Sequence, residues 1–286
     1  MESDDFRSTD PIAWCPGCGN FGILDALRKA LVQLELEPNR VLLVSGIGQA
    51  AKLPHYVRCN CFNGLHGRAL PVAAAAKMAN RELTVLVTTG DGDCYGEGGN
   101  HFIHNIRRNV DITVLVHNNQ IYGLTKGQAS PTTDPGFRTK VQSGGVIAEP
   151  FHALPLAITM GAGFVARGFS GKGDELAGLI AQAVRHRGFS LVEILQPCIS
   201  FNRKNTFKWY KERIYDVAGE DGYDPGDRPR AYRTAMEWGE RIPTGLLYRE
   251  EKPTFGDNYG LAQWPPLVAE EHPGRNIEHL VADFRV

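Results

Sequence analysis

The sequence has neither a long apolar run nor a large excess of charge of either sign. None of its hydrophobic stretches approaches the ~20 residues of a transmembrane helix, so we predict a protein that does not enter the membrane. The segment 1–11 is polar and acidic where a secretory signal would be apolar, which favours a cytoplasmic location. A net charge of −1 argues against nucleic acid as the main partner. The sequence also lacks internal repeats and low-complexity tracts.

The chain has 286 residues, of which 42% are hydrophobic, and this is enough to bury a substantial core. Short apolar runs typical of buried parallel strands alternate with segments of helical periodicity, at 41–44, 83–89, 112–117, 163–167 and 191–195. This alternation predicts an α/β fold with a mostly parallel sheet flanked by helices. The composition changes after Ser200, first to basic and aromatic and then to acidic. We therefore predict one domain at 1–203 and a C-terminal arm at 204–286, packed on that domain or on a partner subunit.

Polar residues follow two consecutive predicted strands. The strand at 83–89 is followed by Gly90-Asp91-Gly92-Asp93, and the strand at 112–117 by Asn118-Asn119. A helical segment between them would serve as a crossover, so Asp91 and Asn119 should meet at the carboxyl edge of the sheet. Their oxygens, with a main-chain carbonyl near Ile121, suit Mg²⁺, and the two glycines let the backbone approach a diphosphate. The combination resembles the thiamine diphosphate (TPP) motif, although two ordinary turns in a non-catalytic metal-binding module would show the same residues.

The cysteines give a second indication of function. Six cysteines in a protein expected in the cytoplasm are more plausibly thiols or metal ligands than disulfides. Cys15 and Cys18 form a CxxC motif directly before a predicted helix. The other cysteines are Cys59 and Cys61 in a predicted loop, Cys94 as a small buried side chain, and Cys198 after the last predicted strand. A four-cysteine site drawn from distant segments fits an iron–sulfur cluster, and tetrahedral zinc is the chemical alternative.

Several motifs in fixed order carry a family resemblance. They are Trp14-Cys15-Pro16-Gly17-Cys18-Gly19, Ser45-Gly46-Ile47-Gly48, Leu65-His66-Gly67-Arg68, Gly90-Asp91-Gly92-Asp93, Gly99-Asn100-His101-Phe102, Ile106-Arg107-Arg108-Asn109, Tyr122-Gly123-Leu124-Thr125, Gln128, Ser130-Pro131-Thr132-Thr133 and Cys198. Together they resemble the β subunit of 2-oxoacid:ferredoxin oxidoreductases, over residues 14–203.

The resemblance implies a TPP-binding fold and an oxidoreductase that decarboxylates a 2-oxoacid. Coenzyme A would capture the acyl group, and a 4Fe–4S cluster would pass single electrons to ferredoxin; the reverse carboxylation uses the same site. A separate α subunit would supply the parts that this chain is too short to contain. We therefore expect a heterotetramer and no activity from this chain alone. A non-redox TPP decarboxylase or carboligase subunit with structural zinc is the alternative.

The resemblance also assigns roles to residues. Cofactor-binding positions would be Gly46, Ile47, Gly48, His66, Gly90, Asp91, Gly92, Asp93, Asn119, Ile121, Gly123, Leu124 and Thr125, with Mg²⁺ on Asp91, Asn119 and the Ile121 carbonyl. Cluster ligands would be Cys15, Cys18, Cys198 and Cys59, with Cys61 as the alternative to Cys59. One position departs from the family, which often has a cysteine directly after Gly-Ile-Gly, because this chain has Gln49 there. The Gly-, Pro-, Ser- and Thr-rich segment 127–145 is predicted to wrap the cofactor or a subunit boundary.

Two lysines bear on the choice of 2-oxoacid. Lys126 follows Tyr122-Gly123-Leu124-Thr125, where pyruvate-type relatives commonly have glycine, and Lys52 lies just past the loop at 45–48. An ammonium group facing the substrate would pair with the distal carboxylate of 2-oxoglutarate. A pyruvate methyl group would leave that ammonium unpaired. We therefore expect 2-oxoglutarate, with pyruvate or branched and aromatic 2-oxoacids as alternatives if both lysines are solvated surface residues.

Overall fold

The computed structural model describes residues 2–269 and 278–282. The strands are β1 (Val41–Ser45), β2 (Asn60–Asn63), β3 (Thr84–Gly90), β4 (Thr113–Asn118), β5 (Ile121–Tyr122), β6 (Gln128–Ala129), β7 (Phe164–Phe169), β8 (Ser190–Leu195), β9 (Ile214–Asp216) and β10 (Ile242–Arg249). The α-helices are α1 (Asn20–Gln33), α2 (Ala69–Ala79), α3 (Gly99–Arg108), α4 (Ala153–Thr159), α5 (Gly173–Arg185), α6 (Phe207–Lys211), α7 (Arg228–Ala235), α8 (Phe255–Asn258) and α9 (Glu278–Ala282). Each helix in these ranges is too short or too polar to cross a lipid bilayer.

Among the described residues, eight strands form one sheet in the order β2-β1-β3-β4-β8-β7-β10-β9. All neighbours are parallel except β7 and β10, which run antiparallel. The pairing of Ser45 with Thr88 and of Gly90 with His117 brings the carboxyl ends of β1, β3 and β4 to the same edge of the sheet. Ligands bind at this edge in α/β folds. The predicted α/β class and mostly parallel sheet are confirmed.

The sheet is covered by helices on both faces. On one face, α1 and α5 pack with side chains such as Leu27 and Ile180. On the other face, α2, α3, α4 and α7 pack around residues such as Phe102 and Ile158. Strand β3 contributes side chains to the core on both faces, because alternate side chains of a strand point to opposite faces of a sheet. The loops at the carboxyl edge are thereby fixed on a rigid support.

The five predicted parallel strands are present, with their ends shifted by one or two residues. Two features differ from the sequence analysis. Cys61 was placed in a loop with Cys59, but Asn60–Asn63 forms β2, which pairs with β1 at the edge of the sheet, and Cys59 directly precedes this strand. The C-terminal segment was predicted only as an arm, but Ile242–Arg249 pairs with β7 inside the sheet. The sheet therefore extends beyond residue 203, and the division at this residue stays a prediction.

After β10 the described part of the predicted C-terminal arm packs back against the rest of the chain. Phe255 N donates to the carbonyl of Asn109 at 3.1 Å, and Asn109 Nδ2 donates to the carbonyl of Pro253 at 3.0 Å. Arg81 contacts the carbonyl of Trp264. These contacts fasten the arm near α2 and α3, at the end of the sheet opposite to the carboxyl edge.

Candidate active site

A cleft opens at the carboxyl edge of the sheet, where β1, β3 and β4 end. Its lining residues are Ile47, Gly48, Gln49, Ala50, His66, Gly90, Asp91, Gly92, Asp93, His117, Asn119, Ile121, Tyr122, Gly123, Leu124 and Thr125. Of the predicted cofactor-binding residues, all but Gly46 line this cleft, and Gly46 directly precedes Ile47. The structure thus brings the predicted set together from four separate segments of the chain.

Asp91 is buried in the cleft and is held by two hydroxyl groups. Its Oδ2 accepts hydrogen bonds from Ser130 Oγ at 2.5 Å and from Thr132 Oγ1 at 2.6 Å. Burial raises the pKa of Asp91 to about 6, and the two hydroxyl groups oppose this shift. Because a bound cation would offset the cost of burying the carboxylate, Asp91 is well suited to hold one.

The turn after β4 orients Asn119 toward the same cleft. Asn119 Oδ1 accepts from the Ile121 amide at 2.9 Å, and Asn119 Nδ2 donates to Gln196 Oε1 at 3.0 Å. The preceding residue, Asn118, accepts from the Gln120 amide at 3.2 Å. These contacts fix the amide side chain and the main-chain carbonyls of the turn, which are the oxygen donors that the sequence predicted for Mg²⁺.

Asp93 lines the cleft and holds the surrounding loops in place. Its Oδ1 accepts from the Gly67 amide at 2.8 Å and from the Ile47 amide at 3.2 Å, and its Oδ2 accepts from Thr89 Oγ1 at 2.7 Å. His66 Nδ1 lies 2.7 Å from Asp93 Oδ1. One carboxylate therefore holds the loops after β1 and β2 against the end of β3. Direct contact between Asp93 and a cofactor stays a prediction.

His117 was not singled out from the sequence, although it lines the cleft. Its Nδ1 lies 2.9 Å from Asn20 Oδ1, and within the described residues its buried Nε2 has no hydrogen-bond partner. Burial lowers the pKa of His117 to about 3, so the ring is neutral at physiological pH. In the sequence His117 is simply the last residue of an apolar strand, and no motif distinguishes it.

The shape and donors of the cleft fit a metal diphosphate. A Cβ atom placed on Gly48 or Gly90 would meet nothing within 4 Å, so both backbones face open space at the cleft. Asp91 supplies a carboxylate, and the turn at Asn119 supplies amide and carbonyl oxygens. Mg²⁺ prefers such oxygen donors and takes its remaining ligands from phosphate and water.

Three cysteines from distant segments line a second, smaller pocket. It is formed by Trp14, Cys15, Cys18, Asn20, Gln49, Asn119, Gly123, Gln196, Cys198, Ile199, Ser200 and Phe201. Hydrogen bonds reach two of the sulfurs: Ser200 Oγ lies 3.2 Å from Cys15 Sγ, and Gln196 Nε2 lies 3.5 Å from Cys18 Sγ. Burial raises the pKa of Cys18 to about 11, and the nearby Cys198 and Cys15 add to the shift. A metal centre would reverse this by stabilising the thiolates.

The spacing of these thiols bears on the kind of centre. Zinc lies about 2.3 Å from each sulfur, which brings its ligands within about 4 Å of one another. Among the described residues, no three His, Cys, Asp or Glu side chains are arranged to hold a single metal ion. A cluster of several atoms holds its cysteines farther apart than one ion does. An iron–sulfur cluster and zinc stay the two predicted alternatives for this pocket.

Cys59 and Cys61 do not join this group. Cys59 directly precedes the edge strand β2, and Cys61 lies within it. Four strand spacings separate β2 from β8, which leads to Cys198. Cys59 packs against the core, and Cys61 is exposed. The assignment of Cys59 as a ligand, with Cys61 as its alternative, stays a prediction, and the position of β2 in the sheet does not support it. Cys94 is buried in the core, as expected.

Neither of the two lysines lines the cleft. Lys52 Nζ donates to the main-chain oxygen of Ala13 at 3.2 Å, which directs it toward the N-terminal segment. Lys126 is exposed and follows the cleft residue Thr125, with a backbone φ of +76°. This left-handed conformation favours glycine. A role for either lysine in binding substrate stays a prediction.

Comparisons with known protein families are consistent with a cofactor-binding cleft at this position. Residues 45–194 match the family described as thiamine pyrophosphate enzyme, C-terminal TPP binding domain. Residues 198–263 match the family described as the C-terminal part of the pyruvate ferredoxin oxidoreductase beta subunit. Together with the fold and the cleft, these matches define a TPP enzyme of the α/β class.

Individual relatives identify the family more narrowly. The chain is 44% identical to the 2-oxoacid:ferredoxin oxidoreductase subunit beta of Saccharolobus solfataricus, over 96% of each chain. It is 46% identical to the 2-oxoacid:ferredoxin oxidoreductase 2, subunit beta, of Aeropyrum pernix, over 85% of this chain and 82% of that one. A solved structure of 2-oxoglutarate:ferredoxin oxidoreductase from Magnetococcus marinus, with 2-oxoglutarate, coenzyme A and succinyl-CoA bound, aligns with a TM-score of 0.90 at 35% identity, covering 100% of this chain and 97% of that chain. The chain belongs to the β subunits of 2-oxoacid:ferredoxin oxidoreductases.

Proposed function

We propose that this chain, together with an α subunit, converts 2-oxoglutarate and coenzyme A to succinyl-CoA and CO₂. The two electrons released would leave singly through a 4Fe–4S cluster to ferredoxin, and the reverse carboxylation would use the same site. The observation that carries this proposal is that the cleft and the cysteine pocket share three wall residues: Gln49, Asn119 and Gly123. A redox centre in the pocket would lie directly beside a cofactor in the cleft.

In this proposal Asp91, Asn119 and the Ile121 carbonyl hold Mg²⁺, which in turn holds the diphosphate. When bound, TPP supplies the carbanion stabilisation that decarboxylation of a 2-oxoacid requires. Ser130 and Thr132 keep the Asp91 carboxylate in position. Such outer partners commonly change metal affinity by 10–100-fold.

The α subunit is proposed because the site is open on one side. Leu65, beside His66, is 75% exposed, and Leu124 at the mouth of the cleft is 42% exposed. Apolar side chains around a cleft mark a surface that another protein covers. We propose that this side is covered by the α subunit, in a heterotetramer that sedimentation of the purified complex would test.

The choice of 2-oxoglutarate rests on relatives. The Magnetococcus marinus enzyme is named for 2-oxoglutarate and binds it, and the 2-oxoglutarate oxidoreductase subunit KorB of Mycobacterium tuberculosis is 43% identical over 71% of this chain and 54% of its own length. Pyruvate is the second candidate, because residues 198–263 match a family described for pyruvate.

The test is anaerobic purification with the α subunit, followed by viologen reduction with TPP, Mg²⁺ and coenzyme A. Reduction with 2-oxoglutarate but not pyruvate would support the proposal in full. Reduction with pyruvate alone would support the enzyme class and refute 2-oxoglutarate as the substrate. A colourless complex that contains zinc and reduces nothing would refute the redox function itself.

A further inference from the structure

Gln49 lies on the boundary between the cleft and the cysteine pocket and lines both. Its carbonyl accepts a hydrogen bond from Trp14 Nε1 at 2.9 Å, which ties its backbone to the segment that carries Cys15. A Cβ atom built on Gly123 would lie 3.8 Å from Gln49 Cγ and 3.9 Å from Cys198 Sγ. The Gln49 side chain and the Cys198 sulfur are therefore close neighbours across Gly123.

The side-chain oxygen of Gln49 has no hydrogen-bond donor. Its Oε1 is buried, and no partner for it is present among residues 2–269 and 278–282. Buried amide oxygens in folded proteins are nearly always satisfied, because an unpaired one loses its contact with water and gains nothing. An orphaned oxygen in a pocket lined by thiols therefore indicates that something else binds to it there.

The pocket offers three thiols where a four-iron cluster takes four ligands. Cys15, Cys18 and Cys198 line it, whereas Cys59 and Cys61 lie on the far edge of the sheet. Gln49 lines the same pocket, and of the oxygens in the lining side chains its Oε1 is the one that is buried without a hydrogen-bond donor among the described residues. The number of thiols and the position of the orphaned oxygen therefore point to the same place.

We propose that Gln49 Oε1 binds the fourth iron of the cluster, so that three irons carry thiolates and one carries a neutral amide oxygen. This inference rests on the proposed function, because it requires the iron–sulfur cluster. Two properties follow. Replacing a thiolate by a neutral ligand removes one negative charge, which raises the reduction potential of the cluster. The iron bound by the weaker oxygen ligand should also be the first to leave on oxidation.

The experiment compares three variants with the unaltered chain, each purified anaerobically as the complex with the α subunit. Gln49→Cys supplies a thiolate, Gln49→Glu keeps the oxygen and adds charge, and Gln49→Leu has a similar size but no donor. Iron and sulfide content, EPR spectra and the midpoint potential are measured before and after brief exposure to a mild oxidant.

We expect the unaltered complex to lose one iron in four on oxidation and to show the EPR signal of a three-iron cluster. Gln49→Cys should retain all its iron and have a more negative midpoint potential. Gln49→Glu should also shift the potential to more negative values, and Gln49→Leu should contain a three-iron cluster from the outset.

Two results would overturn the inference while leaving the proposed function intact. One is an intact four-iron cluster in every variant with an unchanged potential, which would mean that Gln49 does not bind iron. The other is loss of iron in Cys59→Ser or Cys61→Ser, which would identify a fourth thiolate. Absence of iron and sulfide from the unaltered complex would instead refute the proposed function.

Discussion

Asn119 and Cys18 are joined through a single side chain. Asn119 Nδ2 donates to Gln196 Oε1 at 3.0 Å, and Nε2 of the same glutamine lies 3.5 Å from Cys18 Sγ. Gln196 directly follows β8, and its backbone amide donates to the carbonyl of Asn118 at 2.9 Å. The proposed magnesium ligand and the proposed cluster ligand therefore share one orienting residue.

We predict that Gln196→Leu affects both halves of the site. Loss of the donor to Cys18 should shift the cluster potential to more negative values, because hydrogen bonds to sulfur stabilise the reduced state. Loss of the acceptor for Asn119 should weaken TPP–Mg²⁺ binding by about tenfold. Redox titration and TPP titration of the same preparation measure the two effects. A change in TPP affinity alone would show that the contact with Cys18 has no influence on the cluster.

Thr132→Val tests how the Asp91 carboxylate is positioned. The substitution keeps the volume but removes the hydroxyl that contacts Asp91 at 2.6 Å. We expect TPP–Mg²⁺ affinity to fall by about 10–100-fold, as it does for other outer partners of metal ligands. Calorimetric titration of the complex gives the value.

Thr159→Val is the matched control, because Thr159 Oγ1 bonds to the carbonyl of Pro155 within α4. It makes the same chemical change away from the cleft and should leave the affinity unchanged. Equal TPP–Mg²⁺ affinities in the unaltered complex and in both variants would mean that the Thr132 hydroxyl does not position Asp91.

The position of Asp91 beside Asn119 could be predicted because it depends on local patterns. Each residue ends an apolar strand, and a helix between two such strands makes them parallel neighbours. The strand ends therefore identify the site without knowledge of the rest of the chain. The predicted strand at 83–89 is shifted by only one residue from the observed Thr84–Gly90.

The contacts of Ser130, Thr132 and Gln196 could not be predicted in the same way. They come from loops whose conformation depends on tertiary packing, and their sequences carry no periodicity. The position of Cys59 could not be predicted for a related reason, because the pairing of β2 with β1 decides its distance from the other cysteines. Strand β10 was missed because Gly245 and a register shift between Leu246 and Tyr248 interrupt its pattern.

The buried pair of Arg167 and Glu193 predicts a large effect on stability. Arg167 Nε lies 3.2 Å from Glu193 Oε1, and both side chains are about 95% buried. Arg167→Met should destabilise the protein by about 3–5 kcal/mol, because it leaves a buried carboxylate unpaired. The double variant Arg167→Met/Glu193→Leu should recover most of that loss. Denaturant unfolding of the complex provides the comparison.

The exposed pair of Arg40 and Glu82 is the control for this prediction. Its atoms approach to 2.8 Å, yet both side chains are more than half exposed. Arg40→Met should therefore cost no more than about 1 kcal/mol. If Arg167→Met costs as little, water must reach the Glu193 carboxylate in the variant.

Substitution of Lys126 tests substrate selection without disturbing the fold. Because its φ of +76° suits glycine, Lys126→Gly should relieve backbone strain rather than create it. If its ammonium pairs with the distal carboxylate of 2-oxoglutarate, kcat/KM for 2-oxoglutarate should fall by about tenfold or more, and that for pyruvate should stay the same or rise. Lys52→Ala is the matched control, since its ammonium already bonds to the carbonyl of Ala13. If Lys126→Gly lowers kcat/KM equally for both substrates, this lysine supports the loop and does not select the substrate. If Lys52→Ala lowers kcat/KM for 2-oxoglutarate alone, Lys52 is the residue that pairs with the distal carboxylate.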